Sequence, residues 1–213
     1  MNESKKNIRL GTILIVSGPS GVGKSTILGK VREFFPGLTF SVSCTTRQPR
    51  EGEQDGVHYN FISREDFERL IAENQFIEHA DVFGNYYGTL RSEVIDRAVN
   101  GKDVFLDIDV QGALQIKEHT KNDYTLQRCC EFIFIAPPSV EILEKRLRGR
   151  GTEDEGQLTR RLGEAKKELS QWNQYDYTII NDDLDRAVKE FVAIIEASHA
   201  KTSRQPEGLF DEK

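Results

Sequence analysis

A short apolar run, Thr12 to Ser17 (TILIVS), feeds directly into Gly18 to Ser25 (GPSGVGKS) and then into a segment of helical spacing. No other stretch constrains the fold as much. The run reads as a buried strand. After it, Ile27, Leu28, Val31 and Phe34 place one apolar stripe on a helix from Ser25 to Phe35, which Pro36-Gly37 stops. Between strand and helix stands G-x-x-x-x-G-K-S, matched by Gly18, Gly23, Lys24 and Ser25. Glycines let the backbone curl until successive N–H groups point inward, and the helix adds its positive N-terminal pole. Such a loop holds the phosphates of a nucleoside triphosphate: Lys24 reaches the β- and γ-phosphates and the Ser25 hydroxyl is a ligand for Mg2+. The same pattern occurs by chance in glycine-rich turns, but here the strand before it and the helix after it supply the required context.

The rest of the chain keeps the alternation. Leu38–Ser43 reads as a strand and the polar CTTRQPREGEQDGVH as an exposed loop. His58–Ile62 alternates like a strand, and Ser63 with Asp66 caps a helix through Ala72. Strand formers fill Phe76–Tyr87 and break at Gly84-Asn85; Arg91–Val99 is helical. Asp103–Asp109 (DVFLDID) is a central strand, followed by a helix from Val110 to about Glu118 and a loop over 119–130. Glu131–Ala136 is a strand, and Pro137-Pro138-Ser139 opens a helix that ends at Gly149. A longer helix runs from about Glu155 to Gln171, Tyr177–Asn181 is the last strand, Leu184–Ala197 the last helix, and the tail from Lys201 reads as polar and frayed.

The expected fold is therefore α/β, the three-layer P-loop NTPase architecture: a parallel sheet flanked by helices. The short strands of 38–90 break that rhythm and read as an inserted small α+β domain. The expected division is a core over 10–37 and 91–197, the insertion at 38–90 and a polar tail at 198–213.

Composition limits the partners. A net charge of −6 in 213 residues argues against a general nucleic-acid binder, so anions must be held by local basic clusters. No run of 18 apolar residues suggests a membrane span, and the polar start MNESKKNIRLGT lacks a secretory apolar stretch. Cys44, Cys129 and Cys130 are odd in number and lack zinc-site spacing; three reduced thiols in a cytoplasmic protein is the simplest reading. Oligomeric state is not legible.

Beyond the phosphate loop, Arg47 and Arg50 lie three apart in a polar loop with Tyr59 beyond them. Two guanidinium forks and a phenol can orient a phosphate monoester, although surface arginines in a loop look the same. Glu78 lies in an alternating strand, where a solvent-facing carboxylate is equally natural. Asp107 ends an apolar strand near the phosphate loop, where a carboxylate can hold a water on Mg2+. His58 and His79 read as structural. Arg146 and Arg148 at a helix end answer its negative pole.

With GPSGVGKST, SVSCTTRQPREGE, HYNF, FIEHADVFGNYYGT, LDIDVQG, RLRGRGTE and IINDDLD in this order, residues 10 to 197 resemble the guanylate kinases. The resemblance implies a core, a GMP-binding insertion and a mobile helical lid at 146–162 within the core, with the reaction ATP + GMP ⇌ ADP + GDP and Mg2+ accompanying ATP. It implies that Gly18, Pro19, Ser20, Gly21, Val22, Gly23, Lys24, Ser25 and Thr26 bind ATP, with Arg146 near its phosphates and Asn181 beside the adenine. Ser43, Arg47, Arg50, Tyr59, Glu78, Tyr87, Thr89 and Asp109 match GMP-binding positions. Lys24, Arg47 and the lid arginines Arg150 and Arg161 match catalytic ones. The chemistry of Glu78 agrees: guanine presents donors at N1 and N2 to a carboxylate, whereas adenine, lacking N1–H, would leave it unpaired. Leu90 departs from the small polar residue usual after Gly88-Thr89, and the 118–130 connection is longer than usual. The rivals are a P-loop kinase with another small acceptor and a catalytically silent guanylate-kinase-like binding module; intact Lys24, Ser25, Arg150 and Arg161 speak against the latter.

Overall fold

The computed structural model describes residues 8–82, 84–149, 155–206 and 209. Its centre is a five-stranded parallel sheet in the order β2-β7-β1-β8-β9, formed by β1 (Ile13–Ser17), β2 (Thr39–Phe40), β7 (Val104–Asp107), β8 (Cys130–Ala136) and β9 (Tyr177–Ile180). Side chains alternate across a strand, so β1 is apolar on both faces. Leu14 and Val16 pack with Ile27, Leu28 and Val31 of α1 (Lys24–Phe34) and Phe191 of α8 (Leu184–His199). Ile13 and Ile15 turn the other way, toward Val94 and Ala98 of α3 (Arg91–Val99) and Ala113 and Ile116 of α4 (Val110–His119).

A second sheet of four strands, β4-β3-β6-β5, is built from β3 (Cys44–Thr45), β4 (Asn60–Phe61), β5 (Phe76–Val82) and β6 (Asn85–Leu90). Helix α2 (Arg64–Ala72), capped by the Ser63 hydroxyl, covers it through Phe67, whose ring stacks on Phe76 at 4.3 Å and on Tyr86 at 5.2 Å. Leu90 packs against this cluster. This sheet joins the main body through β5: Ile77 is fully buried in the cluster that contains Ala113 and Ile116 of α4. A register shift between Phe76 and Glu78 makes room for it.

Helices α6 (Val140–Arg148) and α7 (Glu155–Leu169) share their own small core of Leu143, Leu147, Leu158 and Ala165. Among the described residues no helix is long and apolar enough to cross a membrane.

Three sequence expectations need correction. The expected strand Leu38–Ser43 shortens to Thr39–Phe40, which joins β7 in the main sheet, and the stretch expected to be an exposed loop begins with the buried strand Cys44–Thr45 of the second sheet. The expected loop at 119–130 contains α5 (Tyr124–Cys129), capped by Asp123 and anchored by the buried Leu126 and Cys129. The tail is not frayed at its start. Arg204 is completely buried and donates to the carbonyls of Arg128, Ser198 and Cys129 and to Glu131 Oε1 at 2.6 Å.

Candidate active site

Ser17 ends β1 between β7 and β8, so the following loop emerges at the carboxyl ends of the parallel strands, where open α/β sheets bind ligands. Gly23 caps α1 with φ 99°, and a Cβ there would lie 2.5 Å from Asn181 Nδ2. Only glycine meets both demands. The loop is fastened from beneath. The buried Val22 carbonyl accepts from Asn181 Nδ2 at 2.7 Å and from Arg146 Nη1 at 3.3 Å, while Arg146 Nη2 donates to the Asn181 carbonyl at 2.8 Å. Both side chains therefore brace the loop backbone in this structure. Lys24 Nζ donates to the Gly18 carbonyl at 2.7 Å and lies 4.0 Å from Asp107 Oδ1. Partial burial raises the Asp107 carboxyl, and Lys24 opposes the rise. Ser25 is exposed in the first turn of α1. From Ser25 and Asp107 a cavity of about 560 Å³ runs along α1 past Arg32 to Phe40.

The second basic cluster assembles around Glu53. Its carboxylate accepts a two-pronged pair from Arg47 at 2.9 Å each and the backbone N–H of Arg50 at 2.8 Å. Arg47 holds it down at about 2. Arg47 Nε also donates to the Tyr87 hydroxyl at 3.2 Å, its guanidinium lies 5.5 Å from the centre of the Tyr59 ring, and that ring meets Tyr87 edge-on at 5.9 Å. Arg47, Arg50, Tyr59 and Tyr87 thus come together from the loop, the residue before β4 and the interior strand β6. Sequence alone does not single out Glu53; its spacing of six and three from the two arginines is the available signal.

Deeper in, hydroxyls are strung toward Glu78. Thr89 Oγ1 donates to Glu78 Oε1 at 2.7 Å, and with that proton committed Ser43 Oγ is the donor in its 3.1 Å contact with Thr89 Oγ1. Glu78 is 7% exposed; burial raises its carboxyl to about 6, against the Thr89 hydrogen bonds and with help from Asp109. Asp109 caps α4, its Oδ1 accepting from the Gly112 N–H at 2.7 Å. A Cβ on Gly112 would stand 2.9 Å from Glu78 Oε2, so this glycine leaves the carboxylate its space.

From α7, Arg161 Nη2 donates to Ser20 Oγ at 2.7 Å, which ties this helix to the tip of the phosphate loop. Arg148 pairs with Glu144 and Glu155. Arg150 lies outside the described residues. Glu168, also on α7, is raised by burial, opposed by Lys24 and reinforced by Asp109. Tyr175 is pushed up to about 12 by burial, close to Ser17 and with Asp109 and Glu168 nearby. Sequence gave no signal for Glu168 or Tyr175, because each matters only through neighbours distant in the chain. His58 Nδ1 accepts the Gln54 N–H at 3.0 Å, a turn contact.

A braced phosphate loop at the head of a parallel sheet, in a chain that also gathers a separate arginine–tyrosine cluster, puts this protein among the P-loop phosphotransferases. Comparison with known proteins narrows the class. A family model described as guanylate kinase matches residues 11–198. The guanylate kinase of Vibrio vulnificus is 49% identical over 197 residues, 92% of this chain and 92% of the relative. That of Carboxydothermus hydrogenoformans is 46% identical over 194 residues, 91% of this chain and 92% of the relative. The crystal structure of guanylate kinase from Anaplasma phagocytophilum superposes with a TM-score of 0.72 at 37% identity, covering 93% of this chain and 92% of that one. The chain belongs to the guanylate kinase family.

Proposed function

We propose that this chain transfers the γ-phosphoryl group of ATP to GMP, giving ADP and GDP, by in-line displacement without a covalent intermediate. One observation carries the reading. Two anion-binding groups, Lys24 with the phosphate loop and Arg47 with Arg50, Tyr59 and Tyr87, accompany a buried carboxylate suited to guanine. In this reading Gly18, Pro19, Ser20, Gly21, Val22, Gly23, Lys24, Ser25 and Thr26 wrap the ATP phosphates, with Arg146 and Asn181 supporting them. The GMP phosphate replaces the Glu53 carboxylate as partner of Arg47 and Arg50, and the Tyr59 and Tyr87 hydroxyls complete its donors. Glu78 accepts from guanine N1 and N2, with Ser43, Thr89 and Asp109 around it. The lid arginines Arg150 and Arg161 stabilise the charge that gathers on the transferring group and exclude water.

Ser25 and Asp107 fit a magnesium ion, Ser25 directly and Asp107 through water. Two protein oxygens suit an ion that keeps several waters and takes its other ligands from phosphates. When bound, Mg2+ neutralises the β- and γ-phosphate oxygens.

We further infer a core over 10–37 and 91–197, a GMP-binding insertion at 38–90, a lid at 146–162 and a C-terminal segment at 198–213. The three cysteines are free and buried, which supports a cytoplasmic location. The deciding experiment is a coupled ADP-release assay with ATP, Mg2+ and a panel of monophosphates. GMP should be preferred by orders of magnitude; equal rates with AMP or dTMP would exclude a guanine-specific kinase.

A further inference from the structure

Strand β5, which carries Glu78, lies at the edge of its sheet: one side bonds to β6 and the other faces α4. An edge strand presents peptide groups that need partners. At His79, the residue after Glu78, one side chain supplies both. The His79 N–H donates to Gln115 Oε1 at 3.1 Å, and the His79 carbonyl accepts from Gln115 Nε2 at 3.0 Å. A carboxamide offers an acceptor and a donor side by side, as a neighbouring strand does. Asparagine, one methylene shorter, would fall short of the strand from the same helix position.

The same helix defines the other walls of Glu78. Asp109, Gly112 and Gln115 recur every third residue, so they share one face of α4. Asp109 raises the Glu78 carboxyl through its charge and binds the Gly112 N–H, and Gly112 leaves Oε2 its space. Between them Ile77 is sunk among Ala113 and Ile116. The height of Glu78 over α4 is thus set by Ile77 packing on one side and the paired amide bonds at His79 on the other.

We infer that Gln115 is a positioning residue for the acceptor nucleotide: by clamping the His79 peptide to α4 it holds the Glu78 carboxylate where the guanine edge meets it. This rests on Glu78 as the guanine reader. Loss of the clamp leaves the arginine cluster and the phosphate loop intact, so the effect falls on GMP and not on ATP.

The test uses the full chain with Gln115→Met, of similar length but unable to make either bond, and Gln115→Glu, which keeps the acceptor for His79 N–H and loses the donor. Steady-state kcat, KM for GMP, KM for ATP and the GMP-over-AMP preference are measured beside melting temperature. Gln115→Met, which loses both bonds, should raise KM for GMP about tenfold and narrow the preference over AMP. Its kcat and KM for ATP should stay within about twofold, with Gln115→Glu intermediate. An unchanged KM for GMP in both variants, or equal losses toward ATP and GMP, overturns the inference, whatever the melting temperature does. Should Gln115→Met not fold, Gln115→Glu alone decides by the same criteria. Glu78→Gln in parallel separates the two claims. Undiminished GMP preference in that variant removes Glu78 as the reader, while impairment there with wild-type behaviour at Gln115 removes only the clamp.

Discussion

Glu78→Gln should stabilise the free protein at alkaline pH while spoiling its choice of substrate. Burial lifts this carboxyl from 4.5 to about 6. At about 1.4 kcal/mol per tenfold change in proton affinity, that corresponds to about 2 kcal/mol. The sign follows from linkage. A carboxyl whose folded value is raised favours the folded state fully below about 4.5, and that contribution is lost as pH rises through 6. At pH 8 the free protein therefore carries a buried ionised group costing about 2 kcal/mol, whereas by pH 4.5 the cost has fallen to about 0.4 kcal/mol. Glutamine has nearly the same shape, can still accept from the Thr89 hydroxyl, and turns a donor toward Asp109 where the carboxylate meets repulsion. For a chain of 213 residues the expected gain at pH 8 is about 4–8 °C in melting temperature. Thermal unfolding of wild type and variant without nucleotide at pH 8, 6.5 and 5, followed by circular dichroism, measures it; kcat/KM for GMP and AMP on the same samples measures the functional loss. A gap that is the same at every pH, or a variant less stable at pH 8 than at pH 5 relative to wild type, would refute the reasoning. Stability given up at a site for selectivity is a common exchange.

Arg47→Lys keeps the charge but loses the fork that engages Glu53 and Tyr87, so KM for GMP should rise about 10- to 100-fold while KM for ATP holds; initial-rate kinetics with each nucleotide varied will show it. Gly23→Ala forces φ 99° on alanine and drives a methyl toward the Asn181 amide, which should cost about 1–3 kcal/mol, raise KM for ATP at least tenfold and spare KM for GMP. Arg204→Ala leaves Glu131 buried with Lys201 as its remaining cation, and should lower stability by about 3 kcal/mol in urea titration with kcat of the folded protein unchanged.

Much of the molecule is readable along the chain. Gly18 to Ser25 announces its task because backbone sterics and a helix N-terminus act within a few residues. The alternation of Ile13 and Ile15 against Leu14 and Val16 marks a strand covered on both faces. Helix α5 is not legible in the sequence because its polar residues yield only Leu126 and Cys129 to the core, too few for a periodic signal. Leu38 to Thr45 has the alternation of one strand but serves two sheets, since a period of two does not say which neighbour a strand will choose. What the sequence by itself determined was the class of fold, the glycine-rich loop between strand and helix, and the family resemblance from which the proposed GMP-binding residues are read. Tertiary structure alone decided that Glu53 holds Arg47, that Asn181 and Arg146 brace Val22, that Gln115 grips β5 and that Arg204 is buried. The physical reason is common to all four. Propensity and periodicity act over one or two turns of chain, whereas a hydrogen-bonding or charged side chain takes its partner from whatever the packed core brings within 3 Å, at any separation in sequence.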